Sequence, residues 1–197
     1  PLADPSNGMA ISAIVNNISC YGGADGSIDL SMTGGNPGYY YAWSNGVVVQ
    51  DQSNLPPGSY YVTVTDVLGC GLFLSTPITQ PDSALSVVMT FTPVACFNDS
   101  TGSVVLNVSG GTPGYNYTWS NGATTQNIYN LPAGTYSGTV TDSNGCTVFV
   151  NAIITQPPSA ITLASFPTNV ICFGTPTGAI DLSVSGGMPN YTYSWNN

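Results

Sequence analysis

GGTPGYNYTWSNG, residues 110–122, has near-copies at 34–46 (GGNPGYYYAWSNG) and at 186–197 (GGMPNYTYSWNN). Trp43, Trp119 and Trp195 fall at one constant interval of 76 positions, as do Cys20, Cys96 and Cys172, and Cys70 keeps the same interval to Cys146. A constant interval leaves no room for insertions between copies, so the chain is a tandem array. Gln80-Pro81 and Gln156-Pro157 open the second and third copies, and Pro5 matches them in the first. The expected division is therefore the tail of a preceding copy at 1–4, copy 1 at 5–80, copy 2 at 81–156 and a truncated copy 3 at 157–197. With no initiator Met and no apolar signal segment, the sequence reads as a window on a longer polymer. No run approaches the ~18 apolar residues of a membrane span, so no membrane insertion is expected.

The 197 residues include no Lys, Arg or His, and the nine charges are all Asp. An average chain is about 25% charged. Nucleic acid and anionic membrane surfaces are excluded as partners, because both are bound through cations. Salt bridges between side chains are excluded by the same absence. Stability has to come from apolar burial, sheet hydrogen bonds and covalent links.

Each complete copy carries two cysteines 50 positions apart, Cys20 with Cys70 and Cys96 with Cys146. Two thiolates without His do not complete a tetrahedral zinc site, so disulfides within each copy are the expectation, with buried free thiols as the alternative. Disulfides imply an oxidising, extracytoplasmic location. A bridge closing such a loop contributes on the order of 4 kcal/mol, which a domain of this size needs.

Copy 2 reads as short β-rich runs between turn clusters: LSVVMTF, GSVVLNVSGG, YNYTWSNG, TTQNIYNLPAG, TYSGTVTDSNG and CTVFVNAIITQP. No stretch has helical periodicity. Strands spaced about ten residues apart indicate an all-β fold of tandem Ig-like antiparallel β-sandwiches, strung as a filament. Ser120-Asn121-Gly122 reads as a hairpin turn in which Asn and Gly take positive φ, and Leu131-Pro132-Ala133-Gly134 as a second turn. Tyr115, Tyr117 and Trp119 alternate with polar residues and so share one strand face. The same face carries Tyr39, Tyr41 and Trp43 in copy 1 and Tyr191, Tyr193 and Trp195 in copy 3. Trp43, Trp119 and Trp195 are expected in the core. A sugar-stacking row is the competing reading, for which Tyr39, Tyr115 and Tyr191, nearest the Gly-Pro turn, are the candidate glycan contacts.

Little in the chain supports catalysis. Asp25 and Asp29 resemble a carboxylate pair, but copy 2 has Thr101 and Val105 there and copy 3 keeps only Asp181. Asp66 and Asp142 do recur, in TDVLGC and TDSNGC, where they suit turn closure. A weak calcium site beside them is the alternative, although no loop supplies the six to eight oxygens calcium takes. No enzyme, cofactor or metal is expected, since a nucleophile here would lack a base.

CFNDSTGSVVLNVSGGTPGYNYTWSNG, followed by LPAGTYSGTVTDSNGC and ITQP, resembles the SprB repeat of giant cell-surface adhesins of gliding Bacteroidota. The likeness covers the whole chain, including CYGGADGSIDLSMTGG in copy 1 and CFGTPTGAIDLSVSGG in copy 3. The resemblance implies a filament exported by type IX secretion, carried along the cell surface by a proton-driven motor, and gripping a substratum or polysaccharide. Its partners would be neighbouring repeats, surface polysaccharide and other filaments. Asp82-Ser83-Ala84 and Asp99-Ser100-Thr101 resemble the motif at which these bacteria attach O-glycans, which marks Ser83 and Ser100. Sequons at Asn17, Asn98, Asn107, Asn116 and Asn190 are read as coincidence. Two other classes stand beside the adhesin: a carbohydrate-binding array on a polysaccharide-degrading enzyme, and a structural stalk or sheath. With a disulfide inside each copy, tension would bypass the loop between the paired cysteines and leave only the remainder of each unit extensible.

Overall fold

A computed structural model describes residues 8–196, so the expected 1–4 tail and Pro5 lie outside the described residues. Among the described residues all fourteen regular elements are strands. In copy 1 these are β1 (Ala10–Asn16), β2 (Gly26–Thr33), β3 (Tyr40–Trp43), β4 (Gln52–Leu55), β5 (Gly58–Thr65) and β6 (Gly71–Ile78). The same six recur one period on as β7 (Ser86–Thr92), β8 (Gly102–Ser109), β9 (Asn116–Trp119), β10 (Ile128–Leu131), β11 (Gly134–Thr141) and β12 (Thr147–Ile154). β13 (Thr162–Thr168) and β14 (Ala179–Ser185) repeat the first two.

Copy 1 forms two three-stranded antiparallel sheets, β1-β2-β4 and β3-β5-β6, and copy 2 repeats both orders. This is the A-B-E and C-F-G arrangement of an Ig-like sandwich without strand D. Alternation assigns the faces. On β2, Ile28 and Leu30 turn inward, and on β5, Tyr60, Val62 and Val64 do. These close with Ile18, Trp43, Leu55 and Ile78 into one core. In copy 2, Val104, Leu106, Trp119, Ile128, Leu131, Tyr136, Val140 and Ile154 are buried. β13 and β14 pair over seven residues but have no second sheet to cover them, and their side chains stay mostly exposed.

Ser120-Asn121-Gly122 reverses the chain as a short hairpin turn, with Gly122 N–H bonding Trp119 O at 2.9 Å and Trp119 N–H bonding Ala123 O at 3.0 Å, but the positive φ expected at Asn121 is corrected, since only Gly122 takes it, and the strands on either side do not pair further. β3 and β4 do not pair, since β3 lies against β5 and β4 against β2. Gly46 N–H bonds Trp43 O at 3.0 Å with φ of 81°, while Asn45 stays out of the positive region and accepts from Val47 N–H. Glycine alone takes the left-handed position, and the chain then returns along the sandwich as irregular backbone. Side chains clip this return segment to β2: Asp51 Oδ1 accepts Leu30 N–H and Gln50 Nε2 donates to Leu30 O. Asn127 and Gln126 do the same to Leu106 in copy 2. The segment mimics a sheet edge without being a strand.

The LPPG and LPAG turns are held by a tyrosine that the sequence reading left among the strand residues. Tyr60 Oη donates to Pro56 O at 3.0 Å and Tyr136 Oη to Pro132 O at 2.9 Å, both from buried rings. This is the tyrosine corner of Ig-like domains. Gly58 and Gly134 do not adopt positive φ, so the corner fixes this turn rather than glycine freedom. Tyr136→Phe is expected to cost about 1 kcal/mol, because Pro132 O loses its partner while packing is kept. Calorimetry checks this, an unchanged melting temperature contradicting it.

Two compact units emerge from the packing. The first comprises Pro1–Ser86 with Val108–Asn116 and Thr141–Val148, and the second Val87–Asn107, Tyr117–Val140 and Phe149–Asn197. The first unit thus takes in the Gly-rich loop and the β11–β12 turn of copy 2.

Candidate functional site

Antiparallel strands of copy 1 give its sandwich two poles. One pole holds the β1–β2 loop with Cys20. There Ile18 N–H bonds Thr79 O and Gly22 N–H bonds the Gln80 side chain at 2.8 Å, so the Gln-Pro junction is docked on that loop. Asp25 accepts from Ser19 N–H and Oγ–H, and the Ser19 hydroxyl holds its carboxyl below the usual range. Gln156 repeats the junction contact with Asn98 N–H in copy 2.

The other pole joins the β2–β3 loop to the β5–β6 turn through Asp66. Its Oδ1 accepts from Leu68 and Cys70 N–H, each at 2.9 Å, and its Oδ2 accepts from the backbone and side chain of Asn36. Asp142 does the same with Asn144, Cys146 and Thr112. Both carboxylates are only 2% exposed. For Asp66, the Asn36 amide leads the interactions that hold the pKa below its usual value. For Asp142, burial opposes ionisation, and the backbone N–H groups of Thr112, Cys146, Asn144 and Gly145 together outweigh it, so its pKa is also lowered. With their oxygens occupied by N–H donors, these carboxylates work as clasps between loops. Among the described residues, no cluster of three or more His, Cys, Asp or Glu stands ready for a metal.

The disulfide pairing is corrected. Cys20 bonds Cys146, 126 residues away and within the first compact unit, with a Cα separation of 5.7 Å. Cys70, Cys96 and Cys172 are free thiols. The expected Cys20–Cys70 bond is barred by strand length: the two residues sit at opposite poles, separated by the eight residues of β6. That is about 26 Å at ~3.3 Å per residue, against a Cα span of 4.4–6.8 Å for a disulfide. Cys96–Cys146 fails equally, since Cys146 is already bonded to Cys20. Beside the bond, Asn144 Nδ2 donates to Ser19 O at 3.0 Å.

Trp43 and Trp119 are 4% and 6% exposed, and their indole N–H groups donate to Val49 O and Thr125 O. Trp195, on the uncovered β13–β14 side, is 55% exposed, unlike the core position expected for it. Tyr39, Tyr115 and Tyr191 are half-buried, and their hydroxyls donate to Gly34 O, Gly110 O and Gly186 O of their own loops. They brace the glycine loops rather than stand as an open row. Ser83 and Ser100 are exposed in loops.

The more open aromatic surface lies on the outer face of β9-β11-β12. A groove of about 570 Å³ there is lined by Thr118, Ser120, Ser137, Thr139, Phe149 and Asn151, with Phe149 78% exposed. In copy 1 the residue matching Ser137 is Tyr61, whose ring stacks on Phe73 with centroids 6.0 Å apart. Sequence reading passed over this groove, although the change from SYYV to TYSG was its visible signal.

Paired A-B-E and C-F-G sheets recurring with the sequence period, their loops joined by aspartate clasps, define a tandem Ig-like structural repeat protein. The family model described as SprB repeat matches residues 12–48, 88–124 and 164–197, more than half of the chain. The chain belongs to the SprB repeat family, whose repeats are associated with adhesin-like surface proteins of gliding bacteria. Among solved structures, the chain is similar to one titled "Structure of amphioxus IgVJ-C2 molecule", with 16% identity, a TM-score of 0.31, and coverage of 76% of this chain and 97% of that one. No curated protein sequence matches it. Among the described residues no helix is long and apolar enough to cross a membrane.

Proposed function

We propose that residues 5–80, 81–156 and 157–197 are successive repeats of an extracellular adhesin filament that links a cell surface to a substratum or polysaccharide in gliding or attachment. The observation that carries this reading is the SprB unit itself, matched at three evenly spaced positions. Such an array is quasi-one-dimensional, and the docked Gln-Pro junctions restrict bending between copies. Export to the surface by type IX secretion and O-glycosylation at Ser83 and Ser100 accompany this reading. Antibodies raised against residues 81–156 test it. They are expected to label intact cells, and beads coated with them to be held and carried along the cell; intact cells without label overturn the reading.

A second reading, a carbohydrate-binding array, is favoured by the Phe149 groove with its Ser, Thr and Asn rim. Phe149→Ala separates the two. Loss of polysaccharide retention by the chain supports binding along the repeats, and retention that is absent or unchanged leaves the repeats as spacers.

A further inference from the structure

The bonded pair Cys20–Cys146 joins the β1–β2 loop of one copy to the β5–β6-type turn of the next, a step of 126 residues. The same step can be applied to the three free thiols. Cys96 and Cys172 are β1–β2-loop cysteines whose mates would lie one such step further on, and Cys70 is a turn cysteine whose mate would lie one step earlier. All three positions fall outside residues 1–197.

The surroundings of Cys96 carry the pattern beyond arithmetic. Within the second compact unit, Cys96, Phe97, Pro157, Ile161, Gly187 and Met188 wall a cavity of about 390 Å³. Their counterparts one period earlier are Cys20, Tyr21, Pro81, Leu85, Gly111 and Thr112. In the first unit that ring of positions meets the turn of residues 141–148: Cys146 bonds Cys20, and Asp142 accepts Thr112 N–H. At the other end of the pattern, the turn that carries Cys70 presents Val67 and Leu68, 53% and 72% exposed, where copy 2 has Ser143 and Asn144.

We propose that the cavity beside Cys96 is the seat of a β5–β6-type turn from a further repeat of the same chain, and that Cys96, Cys172 and Cys70 are each one half of a disulfide to a neighbouring repeat. The array is then stitched by overlapping bonds, each running from one copy to the next. Closure is an oxidation: two thiols form one S–S bond, and a small-molecule disulfide takes up the two electrons and two protons, leaving as two thiols. Along such a chain, tension crosses a bond spanning 126 residues and then follows only the short stretch from Cys146 to Cys172 before the next bond. Interlocked loops therefore leave about half the slack of separate loops inside each copy, since a stretch of the same length recurs once in two periods instead of once in each.

The test lengthens the 197-residue chain by fusing a copy of residues 122–156 after Asn197, which completes copy 3 and adds one counterpart of Cys146. After oxidation by glutathione disulfide, thiols are alkylated and peptides mapped without reduction. Cys96 is expected to lose alkylation and appear bonded to the added cysteine, while Cys70 and Cys172 remain alkylated in a monomeric chain. Cys172 bonded to the added cysteine of its own copy, or Cys96 still fully alkylated, overturns the proposal. A ladder of disulfide-linked multimers overturns the same-chain assignment in favour of bonds between chains. Should the lengthened chain fail to form Cys20–Cys146, the same map on the protein from the cell surface decides, with a free Cys96 thiol overturning the proposal.

Discussion

Asp142→Ala is expected to destabilise the second copy by roughly 3 kcal/mol, because it strips a buried charged acceptor from the N–H groups of Asn144, Cys146 and Thr112. These bonds fasten the β11–β12 turn to the Gly-rich loop and present Cys146 to Cys20. The variant is therefore also expected to form the Cys20–Cys146 bond more slowly from the reduced state. Asp142→Asn, which keeps one acceptor oxygen, should lose less. The charge adds a pH signature. Since the folded pKa lies below the unfolded value of about 3.9, the contribution is complete above about pH 4 and is lost as pH falls through the folded value. Denaturant titrations of both chains should diverge at neutral pH and converge in acid. Equal stability of the two chains at pH 7 contradicts the clasp.

Trp119→Ala should cost about 3–5 kcal/mol, the range for removing a buried aromatic. The ring is 6% exposed and lies on Gly138, where a Cβ would come within 2.8 Å of it, and its N–H satisfies Thr125 O. Little room is left for collapse around the hole. Trp195→Ala, made at the same motif position but 55% exposed, should change stability by less than about 0.5 kcal/mol. Denaturation midpoints measure both. Equal effects would mean that the motif acts as a surface feature in every copy, contrary to the burial of Trp43 and Trp119.

The long inner strands of copies 1 and 2 were readable because they bury one face, so alternation in GSVVLNVSGG or TYSGTVTDSNG marks both the element and its inward side. The core place of Trp43 and Trp119 followed from the same period. Strand direction did not follow. Six strands counted in simple alternation put the first loop and the last turn, and with them Cys20 and Cys70, at one pole. Residues 44–51 undo that count, because they carry the chain back along the sandwich without forming a strand. β3 and β4 consequently run the same way, and the two cysteines end at opposite poles. Gln50 and Asp51, which replace ladder bonds with side-chain bonds to Leu30, gave no periodic signal. Tyr60 and Tyr136 were hidden for a different reason: a corner tyrosine looks like any other inward strand residue until its hydroxyl partner is known. Trp195 shows the limit of motif reading, since burial depends on a second sheet that the motif does not contain.

For a fibre that transmits tension across Cys20–Cys146, the direct measurement is single-molecule extension of the chain, held at its two ends, before and after reduction. Fully unfolded, the oxidised chain is expected to be shorter than the reduced one by the 126 residues behind the bond, about 430 Å at ~3.4 Å per residue. A difference matching loops of about 50 residues, about 170 Å each, or no difference at all, would contradict the link between copies.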